Sequence, residues 1–577
     1  MIKHGRAASL FLFSLATTVL LHAQSTTNPS GEKPDYSQEA FVMEQFVRKV
    51  KLENDGTSMR EDSARIRIQS DAGVKQYGLL TFSYASATGS FEIDYVRVRK
   101  PGGTVVETPA ENVQDMAAEI TREAPFYSDL REKHIAVKGL GVGDVLEFAM
   151  HERVTKPLAP GQFWLDYSFT KSLILLEERL EVTVPRERAI KIKNADTQPA
   201  VTDAGAYRTY SWTTANLKHP DEAKEKQQQA KLTWQRVRGR LAQPDVMVSS
   251  FRSWEEVGRW YNGLQQERVK PSPEIRAKAA ELVKGTADDE ARMRAIYDYV
   301  STQFRYIGVA FGIGRYQPHS ASEVLSNQYG DCKDKHTLLA SLLNATGIKA
   351  YPALISTDRE MDADMPSPSE FNHVITVVPR ASGVVWLDTT TEVGPFGYLL
   401  PPLRDKHALV IPDDQDGRLM TTPADTPFLS LEKFEIEAKL NDSGVLEGKA
   451  TQTARGDTEL LFRAAFRRVP MQQWKNLAQT LSYGLGFSGD VSDVSAGAPE
   501  KTEEPFHVSY SYQRKDYSNW SERRITPPLP MLTLPLLSDA DSKPEAPIWL
   551  GSPGDIKFHA QLEPRRVTFP SCLKPFM

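Results

Sequence analysis

The hydrophobic period of this chain changes twice along its length, and a chain that changes period cannot be one repeating layer of a single element type. Up to about residue 216 apolar residues alternate with polar ones. SARIRIQS does so cleanly, FEIDYVRVRKPGGTVVE sets two runs around a Pro-Gly turn, and KHIAVKGLGVGDVLEFAMHERV repeats that design. SLILLEERLEVTVP and AYRTYSWTTANL carry the pattern on. The expectation is half-buried antiparallel sheet, a β-sandwich-like domain over residues 24–246. Within it, EAFVMEQFVRKVKLE has apolar residues at helical spacing and predicts a short helix. The charged, Gln-rich stretch DEAKEKQQQAKLTWQRVRGR reads as a solvated excursion near a boundary.

From about Met247 the period becomes helical. SWEEVGRWYNGL opens with Ser253 and Glu256 at capping-box spacing, with Trp254, Val257 and Tyr261 on one face. PSPEIRAKAAELVKG predicts a second helix, with Pro273 early and Gly285 as a stop, and a third runs from about Asp288 to Gln303. Beyond about Thr426 strands return in FEIEAKLNDSGVLEGKATQTA, interrupted by a helical pattern in TELLFRAAFRRVPMQQWKNLAQTL. ITPPLPMLTLPLLSDADSKPEAP is proline-rich and predicts an extended connector. At 577 residues the chain exceeds what one core holds, given about 150 residues per domain. The expected fold is therefore multidomain α+β. After the β-rich unit come a helical lead-in with an α+β core over 247–425 and a β-rich domain over 426–577. The chain stops after a strand-like segment, so a truncated or altered C-terminal domain is expected.

The start, MIKHGRAASLFLFSLATTVLLHAQS, has Lys3 and Arg6 before an apolar run from about Ala7 to Leu21, with Ala23 as a cleavage position. This predicts a secretory signal peptide over 1–23. A membrane anchor needs roughly 20 apolar residues, more than this run supplies. Export to a periplasmic or extracellular space is the expectation, with no anchor left after cleavage. A net charge of −5 with 25% charged residues excludes a global attraction to nucleic acid.

An exported compartment is oxidising, yet the chain holds only Cys332 and Cys572 and does not rely on a disulfide framework. Cys572 stands in FPSCLKPFM, where a lightly packed thiol is expected. In YGDCKDKHTLLASLLNATGIKA, Asp331 is a good N-cap, Leu338, Leu339, Leu342 and Leu343 form an apolar stripe, and Gly347 fits the helix stop. Cys332 is then the first helical residue, where free N–H groups and the helix dipole stabilise a thiolate. The same N–H groups suit an oxyanion on a carbonyl attacked by that sulfur. A thiol nucleophile needs a base, and the base an orienting group. FNHVITVV and GVVWLDTT supply them: with Val378 paired to Gly383 and Pro379 to Ser382 as a four-residue loop, His373 faces Asp388. A one-residue slip would separate them.

The order GDCKDK, then FNHVITV, then VWLDTT resembles the core of the transglutaminase-like superfamily, with its papain-like cysteine-protease fold, over roughly Thr286 to Pro412. FRYIGV, GPFGYLLPP and HALVIP belong to the same match. The strand-rich flanks are similar to those of bacterial exported proteins with an uncharacterised N-terminal β domain. The resemblance implies Cys332 as nucleophile, His373 as base and acid, and Asp388 as orienting carboxylate. It implies attack on an amide carbonyl of a protein or peptide, a thioester, and transfer to an amine or to water, with no cofactor.

Other residues are open to two readings. His336, one helical turn beyond Cys332, could touch the nucleophile or be an ordinary polar helix residue. Gln328 and Tyr329, just before the GDC turn, fit oxyanion or substrate contacts and fit loop packing equally. His319 and His407 lack ligand-spaced partners. Asp358, Glu360, Asp362 and Asp364 alternate in STDREMDADMPSPSEFNH like calcium ligands but lack the glycine and closing glutamate of an EF-hand, so a flexible acidic lid is favoured over calcium. No P-loop, G-x-S-x-G, H-E-x-x-H or CxxC pattern is present. The rival to an enzyme is a non-catalytic protein- or glycan-binding module on the same scaffold.

Overall fold

The computed structural model describes residues 35–563 apart from 120, 122–128, 220–234, 237, 309–312, 414–415, 487–488, 516 and 518–551. The signal-peptide segment, most of the Gln-rich stretch, the proline-rich connector and Cys572 lie outside the described residues.

The N-terminal part is built on an eight-stranded sheet. In spatial order its strands are Ala200–Ala204, Tyr207–Asn216, Leu175–Pro185, Phe41–Leu52, Ser58–Ile68, Val145–Val154, Gly89–Arg99 and Val105–Glu107. A three-stranded sheet of Leu79–Ala85, Leu130–Ala136 and Val113–Ala117 packs on one end of it, Leu80 and Ile135 meeting Ile66, Val98 and Leu146. A second small sheet, Lys191–Asn194, Val246–Ser249 and Trp164–Tyr167, covers the other end through Val246, Val248 and Tyr167 against Val50, Leu180 and Trp212. Two layers close over apolar side chains, which is the sandwich solution for a half-buried sheet.

Two expectations are corrected here. The segment read as a helix is the strand Phe41–Leu52, paired antiparallel to Ser58–Ile68 and parallel to Leu175–Pro185. Its register shifts between Met43 and Gln45. That bulge inserts a residue into the alternation, so Met43, Phe46, Val47 and Val50 fall at spacings that imitate a helix. The run KHIAVKGLGVGDVLEFAMHERV is not a hairpin either: Leu130–Ala136 joins the small sheet, and Val145–Val154 pairs with Ser58–Ile68 and Gly89–Arg99.

The central part packs four helices, Pro273–Leu282, Asp289–Gln303, Ala321–Asn327 and Cys332–Ala345, around Leu338, Leu339, Leu342 and Leu343. They lie against a five-stranded antiparallel sheet ordered Gly383–Leu387, His373–Arg380, Tyr351–Ile355, His407–Val410, Arg418–Thr421. A preceding helix, Trp254–Gln265, buries Trp254, Val257 and Tyr261. The C-terminal part is another five-stranded sheet, Asp490–Ala496, Phe506–Arg514, Leu446–Arg455, Ser430–Leu440 and Gly554–Glu563, with helices Asp457–Arg468 and Trp474–Gly484 packed on it. The single helical pattern read there divides at Pro470, which cannot continue the first helix.

Among the described residues no helix is long and apolar enough to cross a membrane.

Candidate active site

Cys332 opens the helix Cys332–Ala345, and its neighbours explain why the helix starts there. Asp331 is the N-cap: its Oδ1 accepts from Asp334 N at 3.3 Å, and Asp334 Oδ2 accepts from Asp331 N at 3.4 Å, a reciprocal cap. Asp334 also holds His319 through its backbone N–H at 2.8 Å and its Nδ1 at 3.2 Å. Burial opposes the Asp334 carboxylate, but the His319 bond and the Lys333 and His319 charges outweigh that and bring it down to about 2. Burial pushes Asp331 up to about 6, against the pull of Lys333, with which it forms a buried ion pair. Gly330 is required at this turn, since a Cβ there would sit 2.6 Å from Asp334 Cβ.

The rest of the motif is support. Lys335 is fully buried and donates to the carbonyls of Ser301 at 3.1 Å and Phe304 at 2.7 Å, closing the end of the helix Asp289–Gln303. Burial brings its amine down to about 7.

His373 begins the strand His373–Arg380 and is 6% exposed. Its Nε2 lies 3.1 Å from Asp388 Oδ2. Burial works against the charged imidazolium, yet the Asp388 carboxylate and a hydrogen bond with Cys332 prevail and push His373 up to about 10. Asp388, 1% exposed, is held below the usual carboxylate range: burial opposes this, but His373 and the Thr390 N–H and hydroxyl, at 2.9 and 2.7 Å, favour the anion. Tyr297 fixes the backbone here, its hydroxyl donating to the carbonyls of Asp388 at 3.0 Å and Gly394 at 2.9 Å. The hairpin register differs from the expected one. Arg380 pairs with Gly383 and Val378 with Val385, so the loop has two residues, Ala381 and Ser382. A shift by two conserves the face, and His373 meets Asp388 diagonally.

The remaining candidates scatter. His336 is buried and its Nδ1 lies 2.8 Å from Thr376 Oγ1; burial brings it down to about 3, so it is a neutral ring facing the sheet. Gln328 ends the helix Ala321–Asn327 in the left-handed region at φ 60°, and its carbonyl accepts from Arg305 N at 3.1 Å. Tyr329 pairs with Arg305 in a short parallel bridge. His407 Nδ1 lies 2.9 Å from Glu360 Oε1.

The acidic loop is a strap rather than a flexible lid. Asp358 accepts from Asn372, Glu360 pairs with Arg240, and Asp362 pairs with Lys193. Arg359 Nη2 reaches Asp166 Oδ2 at 2.6 Å, and Ser249 Oγ donates to Pro366 O at 2.6 Å. The segment leading into His373 is thus pinned to the N-terminal sheets. Among the described residues no group of three or more His, Cys, Asp or Glu side chains could hold a metal ion.

Two tyrosines that the sequence reading did not single out for chemistry adjoin the cysteine. Tyr306 pairs with Gly330, two residues before Cys332, and burial followed by the charges of Cys332, Asp331 and Asp388 raises its phenol, keeping it a proton donor. Tyr261 is buried in the same apolar cluster as Cys332, and among the described residues its hydroxyl has no hydrogen-bond partner. Tyr306 was legible only as part of FRYIGV, and Tyr261 only as part of a helix face.

Residues 276–386 match the transglutaminase-like superfamily. The central domain belongs to that superfamily. Residues 54–221 match a domain of unknown function with a solved structure, DUF3857. The chain is similar to a crystal structure of a candidate protease from Parabacteroides distasonis, with 14% identity, a TM-score of 0.56, and coverage of 82% of this chain and 93% of that one. That likeness concerns the fold. A candidate cysteine protease from Cytophaga hutchinsonii aligns at 10% identity and TM-score 0.17 over 61% of this chain and 78% of its own. An M1 zinc metallopeptidase from Deinococcus radiodurans aligns at 10% identity and TM-score 0.19, over 30% of this chain and 39% of its own. No curated protein matches the sequence.

Proposed function

We propose that this protein is an exported cysteine-dependent enzyme that hydrolyses or transfers acyl groups at amide bonds of proteins or peptides. The observation that carries the reading is the buried His373–Asp388 pair together with a thiol at a helix start. The transglutaminase-like fold and the candidate-protease neighbour support the same class.

In this reading the Cys332 sulfur, its proton held by His373, attacks the carbonyl carbon. A C–S bond forms and the carbonyl electron pair moves to oxygen, where the Tyr306 hydroxyl and the N-terminal N–H groups of the helix receive the charge. The oxyanion collapses, the C–N bond breaks, and His373 gives its proton to the leaving ammonia or amine. Water or an acceptor amine, deprotonated by His373, then attacks the thioester and releases the thiolate. Asp388 keeps Nε2–H occupied and compensates the imidazolium charge. The steps balance without a cofactor.

The test is iodoacetamide alkylation of Cys332, followed by mass spectrometry, in the protein lacking residues 1–23 and in its His373→Ala variant. Rapid alkylation at about pH 6 that is lost in the variant supports a working thiolate–imidazolium pair. Equal, slow alkylation in both would overturn the reading in favour of a binding module.

A further inference from the structure

Among the described residues, the C-terminal part meets the loop after Asp388 through Arg467. Arg467, in the last turn of the helix Asp457–Arg468, donates from Nη1 to the Glu392 carbonyl at 3.1 Å and from Nη2 to the Thr302 carbonyl at 2.7 Å. Its guanidinium also lies 3.5 Å from Glu392 Oε2. The other carboxylate oxygen, Oε1, accepts from the backbone N–H of Tyr306 at 2.5 Å. One arginine therefore holds the Glu392 carbonyl and approaches one of its carboxylate oxygens, while the other oxygen holds the Tyr306 N–H.

Glu392 is not relaxed in this role. Its φ is +61°, a left-handed conformation that costs a non-glycine residue free energy and persists only where surrounding contacts impose it. Both Arg467 and the Tyr306 N–H supply such contacts. Glu392 also sits four residues after Asp388, on the loop whose backbone Tyr297 pins. Tyr306 is placed on its other side by the parallel bridge to Gly330, with Ile307 N donating to Gly330 O at 3.1 Å. A Cβ at Gly308 would come 3.1 Å from the Tyr306 hydroxyl, so the phenol folds back over that glycine. The Tyr306 segment is thus set by two fixtures: the strand entering Cys332, and a carboxylate governed from the C-terminal part.

We propose that Arg467 is a positioning residue of the Cys332 centre, setting the Tyr306 hydroxyl through Glu392, so that the C-terminal domain completes the oxyanion site. This rests on the acyl-transfer reading above. It gives that domain a role in the chemistry, because Arg467 adds to the bonds that Thr389 and Tyr306 make with Glu392 a contact on both its carbonyl and its carboxylate.

The test uses two probes of Cys332 in the protein lacking residues 1–23. Acylation by p-nitrophenyl acetate passes through a tetrahedral oxyanion, and alkylation by iodoacetamide does not. Tyr306→Phe is expected to slow acylation about a hundredfold, the scale of losing one oxyanion donor. Arg467→Ala is expected to slow it about tenfold through misplacement of that donor, and Arg467→Lys, which keeps the charge but not the fork, by less. Alkylation should stay within about twofold in all three, and in the Tyr306→Phe background the effect of Arg467→Ala should vanish. Thr502→Ala, which removes a separate bond from the C-terminal part to Asp298, should leave both rates unchanged.

Equal slowing of both probes, additivity with Tyr306→Phe, or unaltered acylation in both Arg467 variants would overturn the inference. Should alkylation not depend on His373, the acyl-transfer reading falls and this inference with it. Alkylation that depends on His373 together with acylation indifferent to Arg467 overturns the inference alone.

Discussion

His373 and Asp388 meet at 3.1 Å although they are not ladder partners: the last paired residues are Thr376 and Leu387, and the two side chains converge just past the end of that ladder. The carboxylate is therefore held by its own turn, through Thr390, and not by the sheet. This lets the pair be perturbed without unzipping the hairpin.

Replacing Asp388 by Asn keeps the shape and removes the charge. His373, up at about 10 because of that carboxylate, should then titrate lower, and the alkaline fall of activity should move toward neutrality. Turnover on an amide substrate should drop by about 10²–10⁴-fold. A pH–rate profile of both proteins checks it, and an unmoved alkaline limb would refute it.

The same pair predicts how stability varies with pH. His373 has its folded value raised, so its contribution is complete below the ordinary histidine range and is lost as pH rises through about 10. Asp388 has its folded value lowered, so its contribution is present above the ordinary aspartate range and is lost as pH falls through the depressed value. Melting temperature should therefore lose this contribution at both extremes, and an Asp388→Asn protein should show less of each loss by calorimetry.

Lys335 behaves in the opposite sense. Burial lowers its folded value to about 7, so between there and the ordinary lysine range the unfolded chain binds more protons, and stability rises with pH. Lys335→Met should flatten that rise. Lys335→Ala should cost about 2–5 kcal/mol, from the cavity and from the unmet carbonyls of Ser301 and Phe304. Urea titrations across this pH range measure both.

Gly330→Ala should destabilise by about 1–3 kcal/mol, since the added methyl would meet the Asp334 Cβ at 2.6 Å and push the reciprocal cap apart. Iodoacetamide labelling of Cys332 should change in the folded variant as the helix start shifts. A protein as stable as the parent, with unchanged labelling, would contradict this account of the turn.

Asp166→Ala should loosen the strap that leads into His373. It removes the partner of Arg359 at 2.6 Å and of Ser369 Oγ at 2.8 Å, leaving Arg359 with the Ser369 carbonyl at 2.9 Å and the buried Glu370 at 3.4 Å. A loss of about 2–4 kcal/mol is expected, the scale of breaking a partly buried pair. Hydrogen exchange should show reduced protection across 358–372, and unchanged protection would show that the N-terminal sheets do not hold the segment.

The helix start at Cys332 was legible because capping is local: Asp331, Asp334 and the leucine stripe lie within a few turns of one another, and the short-range pattern suffices. The face shared by His373 and Asp388 was legible for a similar reason, since strand alternation survives an even shift of register even though the turn itself was misjudged. Phe41–Leu52 was misread because a bulge alters the alternation, and what makes it a strand is pairing with residues 175–185, far along the chain. The acidic loop was misread because its cations come from far back in the chain, Lys193 on the strand Lys191–Asn194 and Arg240 on the segment before Val246.

What the sequence by itself determined is the set of chemical groups and their local geometry: the thiol at a capped helix start, the imidazole and carboxylate on one strand face, and the order of β-rich and helical parts. Only the tertiary structure decided which groups surround the thiol. Tyr306 and Tyr261 come to Cys332, His336 turns to Thr376, and Arg467 arrives on Glu392 from 75 residues further along the chain. The physical reason is range. Periodicity and capping act over a few residues, whereas burial and charge pairing depend on contacts between segments whose separation in sequence carries no signal.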